Sequence, residues 1–379
     1  MRCIHLLDTQ DFAGTERHLL LLVQRLRMRR IDASIGCRAG SALQREAVSL
    51  QIPTVVLGDR PGPKMMVAFL RHVRRERYDL IHSHNGRTLL MAAIAHSLTG
   101  VPVFATQHFI TPWSTTYRGT KRIVSDVAHR WVNRRVTRFA AVSEAARSAM
   151  LDREGVPPDQ VVTIVNGIEP LVPPSTERIA AVRAELGVSA GTLLVVTVAR
   201  LVREKGIADL IDAVPLVGRS VANIVFLVVG EGALAGELHA QAARVGTGDA
   251  LRFVGFRADA TDVIAAADLF LLPSPGEPFG LVLLEAMALA RPVLATAAGG
   301  PLEIVVDGQT GRLVPPSNPA AMAAAVIELL RRPEQLREMG AAGLERFRRC
   351  FTADRMAAAT EALYDGTALV PVAASAAVA

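Results

Sequence analysis

Short apolar runs alternate with stretches of helical periodicity from one end of this chain to the other. Such alternation is the mark of βαβ units, whose parallel strands are buried on both faces and read as unbroken Val, Ile and Leu. A first series of strands is predicted at 3–7, 33–37, 54–57, 80–82, 103–106 and 138–142. A second is predicted at 193–198, 224–229, 251–254, 269–272, 292–295 and 311–314. After the first strand, Asp11-Phe-Ala-Gly14 reads as a turn, with a helix from Thr15. Between the two series lie Pro157-Pro158, Asn166-Gly167 and Pro173-Pro174-Ser175, which read as a linker with Asn166-Gly167 as its turn. The pattern predicts an α/β chain of two parallel-sheet domains, 1–170 and 171–352, followed by 353–379. Residues 371–379 are small and patternless and are expected to fray. Parallel sheets bind ligands beyond the carboxyl ends of their strands, so two such domains on a hinge imply a central cleft between them.

The length of 379 residues fits two domains. Only 4% of residues are aromatic although half are hydrophobic, so the cores must be built of aliphatic side chains. No apolar stretch reaches the ~18 residues needed to span a bilayer. Met1-Arg-Cys-Ile-His-Leu-Leu-Asp8 is charged too soon for a secretory signal, which predicts a cytoplasmic protein. Cys3, Cys37 and Cys350 have neither metal spacing nor the even number of a disulfide set. Charge is uneven: residues 1–170 hold 24 Lys+Arg against 14 Asp+Glu, or +10, and the remainder holds 18 against 22, or −4. Basic clusters at 25–30, 71–77 and 118–138 point to an anionic partner, among them a membrane surface. Aromatics are not interleaved with these clusters, which argues against nucleic acid.

Candidate chemistry concentrates after the strand at 269–272, where Pro273-Ser-Pro275-Gly276 stops the ladder and Glu277-Pro-Phe-Gly-Leu-Val-Leu-Leu-Glu285 follows. A helix starting near Leu281 leaves the N–H groups of Phe279, Gly280 and Leu281 unpaired, a place for an anion. Glu285 falls about six residues into that helix, roughly 9 Å along the axis at ~1.5 Å per residue. An anion site flanked by two hydroxyl-accepting carboxylates suits a nucleotide sugar. Arg200 and Lys205 follow the first strand of the second domain, where two cations could neutralise a departing diphosphate without a metal ion. No Asp-x-Asp stands in a strand-end loop, and no metal is expected. Gly230-Glu-Gly232 ends another strand, either as a plain tight turn or as a close approach to a ligand. His82 and His84 share one face of a strand end, but no nearby Cys or carboxylate offers a third and fourth metal ligand. His108 ends the strand 103–106, where it could bond a sugar hydroxyl.

Taken together these motifs resemble the retaining glycosyltransferases of family 4, which have the GT-B fold of two Rossmann-like domains. The most specific element is the Glu-x7-Glu spacing of Glu277 and Glu285. Arg200-x4-Lys205-Gly206, Gly230-Glu-Gly232, Phe253-Val-Gly-Phe256, Asn166-Gly-Ile168, Ala141-Val-Ser143 and Asp79-Leu-Ile-His-Ser-His84 also match. The resemblance implies an acceptor-binding first domain, a donor-binding second domain and a C-terminal helix that packs back on the first. It implies that Glu277 holds donor-sugar hydroxyls, that Phe279, Gly280 and Leu281 contact sugar and phosphate, and that Glu285 binds ribose. Arg200 and Lys205 match the diphosphate pair, Gly255 and Phe256 would lie near the base, His108 near the sugar and Gly14 near phosphate. The family's richer glycine turn before the first helix is replaced here by Asp-Phe-Ala-Gly-Thr-Glu16. The implied reaction transfers a hexose from a UDP- or GDP-sugar, with retention and without a metal, to a lipid-linked or envelope glycan such as a polysaccharide or lipopolysaccharide precursor. The enzyme would be cytoplasmic and peripheral to the membrane. Two other readings share the fold logic: a nucleotide-sugar epimerase, and a two-domain sugar-binding protein without chemistry.

Overall fold

The computed structural model describes residues 1–10, 12–58, 62–108 and 120–367. Asp11 of the first turn, the start of the third basic cluster at Arg118 and the tail 371–379 lie outside the described residues. The chain divides into two compact units: Met1–Ile168 with the described part of the segment from Ala353 onward, and Glu169–Thr352.

In the first unit the strands are β1 (Arg2–Leu6), β2 (Asp32–Arg38), β3 (Thr54–Gly58), β4 (Leu80–Ser83), β5 (Val103–Gln107), β6 (Arg138–Ala141) and β7 (Val161–Thr163). They form one sheet in the order β3-β2-β1-β4-β5-β6-β7, all pairings parallel. Strand β7 falls inside the stretch read as linker. Val161-Val-Thr163 is too short to stand out between Pro157-Pro158 and Asn166-Gly167, and it becomes a strand only because β6 offers an open edge. The helix Ala353–Asp365 belongs to this unit, where Met356, Ala357 and Leu363 enter its aliphatic core. Arg25 and Arg29 of the helix Gly14–Met28 pair with Asp354 and Glu361.

The second unit holds β8 (Leu193–Val198), β9 (Ile224–Val229), β10 (Leu251–Phe253), β11 (Leu269–Leu272), β12 (Val293–Thr296) and β13 (Arg312–Val314). Their order is β10-β9-β8-β11-β12-β13, again all parallel. Ile224-Val-Phe-Leu-Val-Val229 is buried throughout, as a strand covered on both faces requires. The helix Pro333–Cys350 braces the unit: Arg346, 1% exposed, donates through Nε to the Ile304 carbonyl and through a terminal nitrogen to that of Glu303.

Each sheet reverses direction once, between β1 and β4 in the first unit and between β8 and β11 in the second. At such a switch point the loops leave the carboxyl ends of neighbouring strands in opposite directions and open a crevice. Lys205 and Glu277 flank the second of these switch points and His5, His82 and His84 the first.

Candidate functional site

The second unit gathers loops from five adjacent strands. The segment after β8 runs through Arg200 to a single 3-10 turn, Arg203–Lys205, and ends at Gly206, whose φ of 63° starts the helix Ile207–Gly218. A β-carbon on Gly206 would overlap the carbonyl of Pro273, so glycine is what lets the β8 loop touch the β11 loop. Lys205 Nζ thereby comes within 2.6 Å of Glu277 Oε2. Glu277 is 7% exposed and its backbone is held too, by a bridge to Gly299 and by the Gly300 N–H, which donates to its carbonyl at 2.9 Å. Gly280 then adopts φ 105° and caps the helix Leu281–Ala288. Phe279 is buried with its ring edge-on to Phe351, and a β-carbon on Gly300 would strike the Phe279 backbone.

These contacts place an ion pair beside a helix N-terminus at the β8/β11 switch point. The first N–H groups of that helix precede any intrahelical acceptor and carry its positive end. Arg200 is exposed on the same loop as Lys205. Glu285, half-buried on the helix, is engaged by a neighbouring group. The sequence reading gave Lys205 to a diphosphate and Glu277 to a sugar; the structure joins them as one hydrogen-bonded unit.

Gly230, Gly232 and Gly255 line up on the next strand ends. The Gly230 N–H donates to the Gly255 carbonyl at 2.8 Å. Side chains at Gly230 and Gly232 would run into the carbonyls of Ala199 and Leu201. Close packing of the β8 and β9 loops accounts for both glycines without a ligand. Phe256 is 68% exposed, and its N–H donates to Glu231 Oε1 at 3.4 Å.

Gly206→Ala measures how much the site depends on that packing. Forcing an L-residue into the left-handed region costs about 1–2 kcal/mol and overpacking about 1–3 more. A loss of about 2–4 kcal/mol in urea unfolding is expected, with the Lys205–Glu277 pair pulled apart.

The first unit holds a second constellation at the β1/β4 switch point; the sequence singled out His82, His84 and His108 but not His5, His18 or their convergence. His5 from β1, His18 from the helix Gly14–Met28, His82 and His84 from β4 and its end, and His108 beyond β5 converge; all are buried. His82 Nε2 bonds Thr106 Oγ1 at 2.8 Å, while its Nδ1 meets the hydroxyl of Tyr364. His5 Nδ1 and His84 Nε2 share a hydrogen bond of 3.0 Å, and His84 Nδ1 and His108 Nε2 one of 3.1 Å. Burial lowers the pKa of His5 to about 3, with repulsion from His18 adding to it, and that of His18 to about 4, against a weak opposing effect of Asn166. Burial, then repulsion from neighbouring rings, holds His82, His84 and His108 well below the usual range. All five rings are therefore neutral at pH 7.

Asp8, next to this cluster in the chain, was not singled out either. It is buried and pairs with Arg38 at 2.8 Å and Arg87 at 3.4 Å, while Asn85 donates to its carbonyl. A polar residue after each of three strands was the available signal, but no local spacing links Asp8 to Arg38. Gly14 opens the helix Gly14–Met28 and is exposed; the Ala13 N–H before it is capped by Glu16 Oε2 at 2.8 Å.

Comparison with known proteins bears on both units. The family described as Glycosyltransferase Family 4 matches residues 12–170, and Glycosyl transferases group 1 matches residues 179–346. The chain is 33% identical to an alpha-maltose-1-phosphate synthase of Mycolicibacterium smegmatis, over 88% of this chain and 90% of that protein. It is 29% identical to a D-inositol 3-phosphate glycosyltransferase of Streptomyces scabiei, over 95% and 88%. Among solved structures, Anabaena HepE in complex with UDP-glucose superposes with a TM-score of 0.84 at 26% identity, covering 96% of this chain and 100% of that one.

Proposed function

The chain belongs to the glycosyltransferases of GT-B fold, and from that premise we propose that it transfers a hexose, with retention, from a nucleotide-diphosphate sugar to an acceptor hydroxyl. The observation that carries this reading is the Lys205–Glu277 pair beside the N-terminus of the helix Leu281–Ala288. Glu277 takes hydroxyls of the donor sugar, and Lys205 and Arg200 meet the diphosphate. The N–H groups of Phe279, Gly280 and Leu281 reach the sugar and its phosphate. Glu285 takes the ribose, and the loop at Gly230, Gly232, Gly255 and Phe256 receives the base. In the first unit, His108 bonds a sugar hydroxyl and Gly14 approaches phosphate.

In this proposal the glycosidic bond to the diphosphate lengthens first, and positive charge grows on the anomeric carbon and ring oxygen. Negative charge grows on the leaving phosphate, where fixed cations and helix N–H groups stabilise it most. The acceptor hydroxyl enters from the face the diphosphate leaves and gives its proton to that phosphate. Cations stand in for a divalent metal at the diphosphate.

For the acceptor, the +10 charge of residues 1–170 favours a phosphate-bearing molecule. A lipid-linked envelope glycan at an anionic membrane surface fits that charge. The relatives, an alpha-maltose-1-phosphate synthase and a D-inositol 3-phosphate glycosyltransferase, favour a soluble sugar or polyol phosphate. Among the described residues no helix is long and apolar enough to cross a membrane.

Purified protein given UDP-glucose, UDP-galactose or GDP-mannose in chelator, with each acceptor class, tests the reading. One donor should release its nucleotide diphosphate only when acceptor is present, and NMR should show the donor's anomeric configuration kept. Inversion, a strict need for Mg²⁺, or acceptor-free conversion of one nucleotide sugar to another would overturn it. The matching nucleotide diphosphate should also raise the melting temperature, because a ligand at 100 times its Kd stabilises by about 2.7 kcal/mol.

A further inference from the structure

We infer that His18, His84 and His108 form a binding site for a transition-metal dication, zinc foremost. The sequence offered only His82 and His84 and no further ligand; the fold supplies the rest. One ring nitrogen from each of the three lies within 4.8 Å of the others. His84 Nδ1 and His108 Nε2 are already 3.1 Å apart, near the ~3.3 Å separation of two nitrogens on one tetrahedral ion with bonds of ~2.0–2.1 Å. A dication would take the place of the hydrogen these two rings share, and that proton would move to the far nitrogen of its own ring, leaving both imidazoles neutral.

His18 supplies the independent observation. It is 5% exposed, neither ring nitrogen has a hydrogen-bond partner within 3.5 Å although Asn166 is close enough to act on its pKa, and the ring lies 4.8 Å from that of His108 and 5.8 Å from that of His84. A buried imidazole without a partner is costly, and a metal bond would remove that cost. Turning its ring toward an ion would break no hydrogen bond of ordinary geometry and would give up only its approach to Asn166. The other triad, His5, His82 and His84, fits an ion less well. Both triads contain stacked rings, at 14° between His82 and His84 and 30° between His84 and His108, so the difference lies in the nitrogens each leaves available. His82 is held on both sides by Thr106 and Tyr364.

Three neutral imidazoles without a carboxylate select zinc, cobalt, nickel or copper over magnesium or calcium. The site lies at the strand ends of the first unit and uses His108 Nε2, so the sugar contact proposed for His108 falls to its Nδ1. Its existence does not depend on the donor reading.

Zn²⁺, with Co²⁺ as its spectroscopic stand-in, is titrated into tag-free protein previously stripped with chelator. One equivalent should remain through gel filtration, and the Co²⁺ form should show the absorption of a nitrogen-rich site of low coordination number. His18→Gln should weaken uptake by at least about tenfold, as should His5→Gln, which removes the partner of His84 Nε2, while Glu277→Gln keeps one equivalent. X-ray absorption on the wild-type zinc form should show three imidazoles around the ion. Failure to take up one equivalent, uptake unchanged in His18→Gln, or a zinc shell with fewer than three imidazoles would overturn the assignment.

Discussion

Glu277→Gln lowers transfer activity by about 10²–10³-fold with little change in fold, if the carboxylate acts on the donor sugar as proposed. The substitution keeps the shape and removes the charge, so the loss should fall on kcat more than on KM. Lys205→Met should cost as much activity and also destabilise the protein, because of which partner is left behind. Glu277 has a side chain 8% exposed and Lys205 one 21% exposed. Removing the lysine strands a buried carboxylate, at a cost of up to about 3–5 kcal/mol for a fully buried pair and less here, because water reaches the lysine. Removing the carboxylate strands a cation that can turn toward solvent. The double variant should recover part of the stability and none of the activity, and urea unfolding beside initial rates for the four proteins separates the two effects. Activity within threefold of wild type in Glu277→Gln would remove the site assignment.

Acid should unfold the first unit of the metal-free protein well before the second. The folded-state pKa values of His5 and His18, about 3 and about 4, lie below the ordinary 6.5. Below pH 6.5 the unfolded chain therefore binds more protons, and stability falls with falling pH until the folded values are reached. Each buried ring loses up to about 1.4 kcal/mol per pH unit in that window and about half that at pH 6.5 itself, so these two together lose about 3 kcal/mol between pH 6.5 and 5. His82, His84 and His108 act in the same direction. Their neighbours Thr106, Asn166 and Tyr364 are neutral and provide no carboxylate to hold a cationic ring. A folding free energy of 5–15 kcal/mol does not survive much of this. His239, exposed, is the one histidine of the second unit, so that unit lacks the same liability. Both tryptophans, Trp113 and Trp131, lie in the first 168 residues, so their fluorescence follows this unit. Their urea midpoint should drop sharply from pH 7 to 5, and His18→Gln should shrink the drop. An unchanged midpoint would contradict the neutral buried cluster.

Glu277, Lys205 and the helix start at Leu281 were legible in advance because each sits in a local signature: a strand stopped by Pro and Gly, a cation before Gly206, a run of helix formers. That Lys205 and Glu277 touch was not legible, since 72 residues separate them and no periodicity records which strands lie side by side. The glycines show the same division. Gly206 was recognisable as a turn residue, but the carbonyl of Pro273 that excludes a side chain there belongs to another loop. Strand β7 was missed because three residues carry too little pattern, and its partner β6 decided the matter.

The sequence by itself determined the alternation of strand and helix, the two-sheet organisation and the motifs of the second unit, because burial imprints a period on neighbouring residues. Only the tertiary structure decided that His5, His18, His82, His84 and His108, spread over 104 residues, are buried together. The order β2-β1-β4-β5 sets their strand ends in a row, and strand order is fixed by crossovers and core packing, which leave no spacing to read along the chain.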